Sequence, residues 1–302
     1  MIRNFTEFLV FPESVRVPWL GGKLYRMTLK MNNKSILKEK IVEPLNTKQR
    51  KERVIVSMTS YPVRMKFVHL AIKSLMVQTY KPDRIILWLA EEQFPTKELP
   101  KELTELEKYG LEIIWMHDIY GHKKYYYPIK NQAENEVVIT FDDDIIFPKN
   151  SIKRLMKKHK RFPNSVICER GQTYDSRYEK NPGLWKTLSS VGVKKPTYSL
   201  NPSPGGGCLI PKGAFFSDAL DEEKIRSLAY KNDDLWYMFM CAQNKTRIIK
   251  TRKYHKPFSV IIGSQVEQMA TENVLGNKNV EAMERLIEAY PEAWRRIVTD
   301  ED

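Results

Sequence analysis

The chain has 302 residues, of which 42% are hydrophobic and 29% charged, enough for one large domain or two modest ones that need no disulfide framework or metal to fold. Its formal net charge of +13 predicts a polyanionic neighbour such as nucleic acid, an anionic membrane face or a phosphorylated substrate. The three cysteines are widely spaced, without CxxC, which excludes a disulfide scaffold and predicts a cytoplasmic location.

The first fifty residues are predicted to form an accessory segment. No apolar run approaches the roughly 20 residues of a membrane span, and the apolar FLVF near the start is interrupted by Pro12 and Glu13. Trp19, Leu20 and Tyr25 favour packing on the main domain. The alternative is peripheral contact with the inner face of a membrane, with basic side chains towards lipid phosphates.

Four apolar runs in the first half of the chain predict buried strands, at residues 54–58, 84–89, 111–116 and 137–141. Segments with helical periodicity or high charge lie between or after them, and they predict helices at 67–78, 97–110 and 151–162. Residues 31–53 are polar and predict a linker or a solvated helix that ends near Lys51. Alternating strands and helices at this spacing predict a parallel, three-layer α/β sheet with right-handed crossovers.

The second half of the chain predicts further strands in SVICER, GGGCLIP and TRIIKTR and a buried helix in DDLWYMFMCAQ. The tail from residue 279 to 298 predicts one or two amphipathic helices. We therefore predict an accessory segment at 1–50, a main domain at 51–270 and a helical tail at 271–302.

Three consecutive aspartates, Asp142, Asp143 and Asp144, follow the fourth predicted strand. Ligands bind beyond the carboxyl ends of strands in such sheets, so these side chains are predicted to face a crevice. Clustered carboxylates suit a hard cation, Mg²⁺ or Mn²⁺, that also binds phosphate oxygens. A solvated turn with helix-capping aspartates is the alternative, and the direct step from buried strand to three charges favours the metal.

The sequence resembles the GT-A glycosyltransferases, and more narrowly the inverting bacterial sugar transferases that build capsule and other surface polysaccharides. The similarity lies in VIVSMTSYPVR, SLMVQTYKPDRIILWLAEE and VVITFDDDIIFP, covers about residues 53–150 well and 200–260 loosely, and leaves out the first fifty. It implies a GT-A (Rossmann-like) three-layer sandwich with a mostly parallel central sheet. An Asp-x-Asp motif by itself is weak evidence, and its place after a fourth strand makes it informative.

The resemblance also implies roles for single residues. Asp142 would contact the ribose and the metal, Asp144 would coordinate Mn²⁺ or Mg²⁺, and Asp143 would point towards the donor sugar or solvent. The nucleoside pocket would be lined by Thr59, Ser60, Tyr61 and Arg64, although Tyr61 and the proline after it are equally compatible with a simple turn.

One departure from the family concerns recognition of the base. Many relatives carry Asp-Asp-Gly-Ser after the second strand, where this chain has Ala90, Glu91, Glu92 and Gln93. Glu91 or Glu92 is the candidate substitute. A UDP-sugar is the first candidate donor, and this departure leaves other nucleotides open.

Two further segments are candidate donor contacts. GHKKYYYPIKN places Lys124 just before the fourth strand, where it would meet a diphosphate; a solvated loop over packed tyrosines is the alternative. PSPGGGCLIP supplies Gly206 and Gly207, which allow close approach of backbone to a ligand, or else form a flexible turn. No GK[ST] follows, which excludes a P-loop.

The candidate catalytic base lies in NDDLW. Relatives that invert carry an acidic residue here, so Asp234, and after it Asp233, would accept the proton of the acceptor hydroxyl. Helix capping is the alternative for these aspartates. Trp236 would form a platform for a sugar, and the late His255 would be a further metal ligand, although a structural role is favoured for this histidine.

These observations together predict a metal-dependent transferase of the inverting type that moves a sugar from a nucleotide-sugar to a glycan or lipid-linked acceptor. A nucleotidyltransferase is the closest rival, because it also uses aspartates at a strand end and a metal. A basic nucleic-acid or polyanion binder is the rival outside the enzymes. The sequence argues against it, because the lysines are dispersed and neither an RNP run nor GXXG is present.

Overall fold

The protein is built around a seven-stranded central sheet in the order β10-β6-β9-β4-β1-β2-β3. We analysed a computed structural model, which describes residues 18–173, 193–252, 259–264 and 278–302. The strands are β1 (Arg53–Thr59), β2 (Arg84–Ala90), β3 (Leu111–Met116), β4 (Glu136–Thr140), β5 (Ile145–Ile146), β6 (Val166–Cys168), β7 (Gly171–Thr173), β8 (Leu200–Pro202), β9 (Cys208–Pro211), β10 (Ile248–Lys250) and β11 (Ser259–Val260).

The sheet is mostly parallel, as predicted. β1 pairs in parallel with β2 and β4, and β2 pairs in parallel with β3. β9 is the exception, because it runs antiparallel to both β4 and β6. Two small antiparallel pairs, β5 with β11 and β7 with β8, stand outside the main sheet. The carboxyl ends of β1, β2 and β4 therefore meet at one edge of the sheet.

Helices cover both faces of this sheet. They are α1 (Pro18–Lys38), α2 (Met65–Met76), α3 (Lys101–Thr104), α4 (Lys123–Lys130), α5 (Ser151–His159), α6 (Glu222–Ala229), α7 (Asp233–Gln243), α8 (Lys278–Ala289) and α9 (Pro291–Thr299). Alternate residues of β1 enter opposite cores, since side chains of a strand point to opposite faces. Ile55 packs in the core with Trp236 of α7, whereas Val56 packs in the core with Leu75 of α2. This is the predicted three-layer α/β sandwich.

Two local predictions were wrong in extent. The charged segment 97–110 forms only the single turn α3 and a 3-10 turn at Glu107–Tyr109. Gly110 then turns the chain into β3 with a φ of 90°, in the left-handed region that favours glycine. A Cβ at Gly110 would also lie 2.6 Å from Leu45 Cδ1, so a larger residue would have to displace that side chain. In the polar segment 31–53 the helix ends at Lys38, not near Lys51.

The two ends of the chain carry helices. The tail forms two, α8 and α9, in agreement with the prediction of one or two amphipathic helices. At the other end, α1 lies against α2, β5 and β11. No helix in the described part of the chain is long and apolar enough to cross a bilayer. The proposed boundaries at residues 50 and 270 stay predictions.

Candidate active site

The aspartate run begins directly after β4, where the chain is held by its neighbours on both sides. The amide of Phe141 donates to the carbonyl of Ser57 at 3.0 Å, and the amide of Asp142 donates to the carbonyl of Gly205 at 2.8 Å. β4 lies between β1 and β9, so the aspartates leave the sheet between the loops that follow β1 and precede β9. The carboxylate of Asp142 contacts Lys124, whereas those of Asp143 and Asp144 contact Arg64.

Asp143 is the buried member of the run. Its carboxylate accepts hydrogen bonds from the hydroxyl of Ser60 and the guanidinium of Arg64. Burial raises the pKa of Asp143 to about 6, although Arg64 acts in the opposite direction. The same guanidinium nitrogen lies 3.1 Å from Oδ2 of Asp144. Arg64 therefore neutralises charge on two of the three aspartates from the loop after β1.

Asp142 is linked to the start of α7 through a buried lysine. Lys124 Nζ lies 2.8 Å from Oδ1 of Asp142 and 2.8 Å from Oδ2 of Asp233. The lysine side chain is 6% exposed, against 41% for Asp142 and 21% for Asp233. Burial opposes the charge on Lys124, but the two carboxylates outweigh it and raise its pKa. The ammonium group is therefore a permanent cation between two acids far apart in sequence.

The position of Lys124 is fixed by the central strands. Its carbonyl accepts a hydrogen bond from the hydroxyl of Ser57 on β1, and Trp88 Nε1 on β2 donates to that hydroxyl at 2.8 Å. The segment around Lys124, for which a solvated loop was the alternative, forms the helix α4, and its three tyrosines are buried. The sheet thus presents the lysine to the aspartates as a rigid group.

The glycine-rich segment lies directly against the aspartates. A Cβ at Gly205 would lie 1.6 Å from Oδ2 of Asp142, so any side chain there would displace that carboxylate. Gly207 has a φ of 104°, and a Cβ on it would lie 2.9 Å from Phe141. Gly206 and Gly207 were the predicted donor contacts, and Gly205 was missed although the run of three glycines was the signal. The missing side chain at Gly205 lets the backbone of this segment lie directly against Asp142.

The acidic pair at the start of α7 has two different environments. Burial would raise the pKa of Asp233, but Lys124 and His122 outweigh it and leave that pKa below its ordinary value. Burial and then the Asp233 carboxylate raise the pKa of Asp234 to about 7. Asp234 accepts a hydrogen bond from the amide of Leu235 at 3.0 Å. Asp233, the second candidate base, is the one in contact with Lys124.

Three other predicted donor contacts have structural partners in this state. The hydroxyl of Thr59 donates to the carbonyl of Trp88 at 2.9 Å. The ring of Tyr61 lies under the Arg64 guanidinium, 5.4 Å from ring centroid to Cζ. Glu91 pairs with Lys97 at 2.6 Å on the surface. Their roles towards a nucleotide stay predictions.

The prediction for Trp236 was wrong. Its side chain is 0% exposed, and its ring packs edge-on against Tyr290 with 6.1 Å between centroids. A ring enclosed on all sides has no face for a sugar, so Trp236 is a core residue. His255, the predicted further metal ligand, lies outside the described residues.

Comparison with known families identifies the chain. The model of glycosyl transferase family 2 matches residues 56–224, more than half of the 302 residues. The chain belongs to this family. The match runs from β1 through the aspartates and the glycine segment to α6. The GT-A type α/β fold and a glycosyltransferase activity are thereby assigned to it, whereas no curated protein matches the chain.

Solved structures similar to this family 2 glycosyltransferase have low identity. "Mannosyltransferase PcManGT from Pyrobaculum calidifontis in complex with GDP-Man and Mn2+" has 12% identity, a TM-score of 0.46 and coverage of 98% of this chain and 81% of that chain. S. aureus TarS 1-349 has 17% identity, a TM-score of 0.44 and coverage of 82% and 83%. The 4-diphosphocytidyl-2C-methyl-D-erythritol synthase of Anaerococcus prevotii has 12% identity, a TM-score of 0.42 and coverage of 76% and 96%.

The carboxylates at the aspartate run are the kind of oxygen ligand that suits a divalent cation. Asp143 and Asp144 share the guanidinium of Arg64, and Asp142 shares the ammonium of Lys124 with Asp233. No group of three or more His, Cys, Asp or Glu side chains within the described ranges is arranged to hold a metal. Mg²⁺ sites commonly use one or two carboxylates and take the remaining ligands from water and substrate phosphates. The donor set of the glycosyltransferase fits a cation of that kind.

Proposed function

We propose that this family 2 glycosyltransferase takes a nucleotide-sugar donor, a UDP-sugar first, and transfers the sugar to a hydroxyl of a glycan or lipid-linked acceptor. We place the reaction in surface polysaccharide synthesis. The observation that carries the proposal is the contact of Lys124 with both Asp142 and Asp233. It brings the aspartate run and an acidic helix start into one site, as a reaction with a donor and an acceptor requires.

On the donor side, Asp142 and Asp144 are the proposed ligands of Mn²⁺ or Mg²⁺. When bound, the metal offsets the negative charge of the departing nucleoside diphosphate. Arg64 and Lys124 keep the carboxylates oriented and add fixed positive charge beside the same leaving group. Thr59, Ser60, Tyr61 and Glu91 are the proposed nucleoside contacts, together with the backbone of Gly206 and Gly207.

On the acceptor side, Asp234 is the proposed general base. The acceptor oxygen attacks the anomeric carbon, its proton passes to Asp234, and the bond to the diphosphate breaks with its electron pair on the leaving oxygen. A pKa near 7 suits this task, because an efficient base has a pKa near the working pH. Asp233 stays ionised beside Lys124 and raises the basicity of its neighbour. A single displacement of this kind inverts the anomeric carbon.

The test is a thermal-shift panel of UDP-, GDP- and CMP-sugars against bare nucleoside triphosphates, each with Mn²⁺ or with a chelator. A ligand that binds only the folded protein stabilises it, by about 2.7 kcal/mol at a hundredfold excess over Kd. The melting temperature of the protein rises as a result. We expect one nucleotide-sugar class to give the largest shift and only with metal. Asp144→Asn should keep the fold and lose that shift, whereas the exposed Glu105→Gln should keep both.

The other outcomes decide against the proposal. A shift only with bare triphosphates favours a nucleotidyltransferase, and salt-sensitive binding of nucleic acid without any nucleotide effect favours a polyanion binder. Full transfer in chelator, or full activity of Asp144→Asn, removes the metal from the mechanism.

A further inference from the structure

Helix α1 is attached to the protein by one face. Its 21 residues include five basic and no acidic residues. Thr28 and Ile36 are 2% and 6% exposed, and Asn32 Nδ2 donates to Ser259 Oγ at 3.0 Å. Asn33 Nδ2 donates to the carbonyl of Val260 at 3.2 Å. The inner face of the helix is therefore fixed by apolar burial and by hydrogen bonds to β11.

The outward face of α1 combines cations with large apolar side chains. At 3.6 residues per turn, the exposed residues from Arg26 onwards fall within an arc of about 180°. They are Arg26, Met27, Lys30, Met31, Lys34, Ser35, Leu37 and Lys38. Met27, Met31 and Leu37 are 52%, 44% and 58% exposed, among only six large hydrophobic residues exposed in the described ranges. None of the four cations has an ion pair with a described residue.

This combination matches the physical requirements of an anionic lipid surface. Apolar side chains on a helix face enter the boundary between headgroups and acyl chains, and long basic side chains reach up to the phosphates. Each Lys or Arg near such a surface contributes about 1 kcal/mol. Nucleic acid is a poorer partner, because the outward face has no aromatic side chain on which a base stacks.

We propose that the outward face of α1, from Arg26 to Lys38, docks the protein onto a membrane leaflet rich in anionic phospholipid. This docking goes beyond the proposed sugar transfer and does not depend on it. Hydrogen bonds connect helix α1 to the candidate active site. The amide of Ile262 donates to Asn33 Oδ1 at 3.1 Å, and the amide of Ile261 donates to the carbonyl of Asp144 at 2.8 Å. Docking at α1 would thus bring the aspartate run close to the lipid surface.

The test is sedimentation of the full chain with vesicles of phosphatidylcholine alone or of an equimolar mixture with phosphatidylglycerol. We expect binding to the mixed vesicles only. The triple variant Lys30→Gln, Lys34→Gln, Lys38→Gln should bind on the order of 100-fold more weakly, from the loss of three contacts of about 1 kcal/mol each. Met27→Ser with Met31→Ser should also weaken binding, at unchanged net charge.

A matched control separates a docking face from simple net charge. Lys153, Lys157 and Lys160 are exposed on and just after α5, and changing all three to Gln removes the same charge. This variant should bind vesicles nearly as well as the natural protein. Equal loss in both triple variants, or no binding of the natural protein to anionic vesicles, overturns the proposal. It is also overturned if the α1 variant loses binding to single-stranded RNA while vesicle binding is unchanged.

Discussion

Lys124 is the residue whose removal tests the reasoning about the site most directly. Lys124→Met keeps most of the side-chain volume and removes the charge. Breaking a buried ion pair by removing one partner costs about 3 to 5 kcal/mol, since the other charge is left unpaired. Here Asp142 and Asp233 are 41% and 21% exposed, so water relieves part of that penalty. We expect the free energy of unfolding to fall by about 2 to 3 kcal/mol.

The assay is urea denaturation followed by far-ultraviolet circular dichroism, with Lys97→Met as the matched control. Lys97 also pairs with a carboxylate, at 2.6 Å from Glu91, but the two side chains are 49% and 54% exposed. Exposed pairs contribute about 0 to 1 kcal/mol, so the control should change stability by less than about 1 kcal/mol. If Lys124→Met destabilises the protein no more than Lys97→Met, the contacts of Lys124 with Asp142 and Asp233 do not stabilise the fold.

A second variant identifies the cause of the loss. Adding Asp233→Asn to Lys124→Met removes one of the two unpaired carboxylates at nearly constant shape. The double variant should recover part of the stability that the single variant loses. If the double variant recovers no stability, the loss comes from the packing of the lysine stem and not from the unpaired carboxylates.

Two further predictions concern the same site. Gly205→Ala should abolish the donor-induced thermal shift, because its Cβ would lie 1.6 Å from the Asp142 carboxylate. Gly121→Ala is the control and should be tolerated, because its Cβ would lie 3.7 Å from the Asp233 carboxylate. Equal donor binding by both variants would contradict this geometry. Because Asp234 must be ionised to accept a proton and its pKa is about 7, kcat/KM should fall about tenfold per pH unit below 7, and an activity profile flat down to pH 5 would exclude Asp234 as the base.

Four strands of the central sheet could be predicted from the sequence, because each one produces a local pattern of apolar residues. Short apolar runs bounded by polar residues predicted β1, β2, β3 and β4 to within a residue or two at each end. The aspartate run was found in the same way, since it directly follows such a strand. The segment 97–110 failed because abundant charge and good helix formers do not fix a helix. Pro100 stands directly before α3 and disfavours helix in the residue that precedes it, and Gly110 ends the segment in the left-handed region.

The sequence by itself determined the parallel α/β order and the edge of the sheet where the acids stand, because both follow from periodicity along the chain. Only the tertiary structure decided that β9 runs antiparallel beside β4, that Trp236 is enclosed in the core, and that Lys124 joins Asp142 to Asp233. These facts depend on contacts between residues distant in sequence, and no local pattern encodes which distant side chain will lie 2.8 Å from a carboxylate.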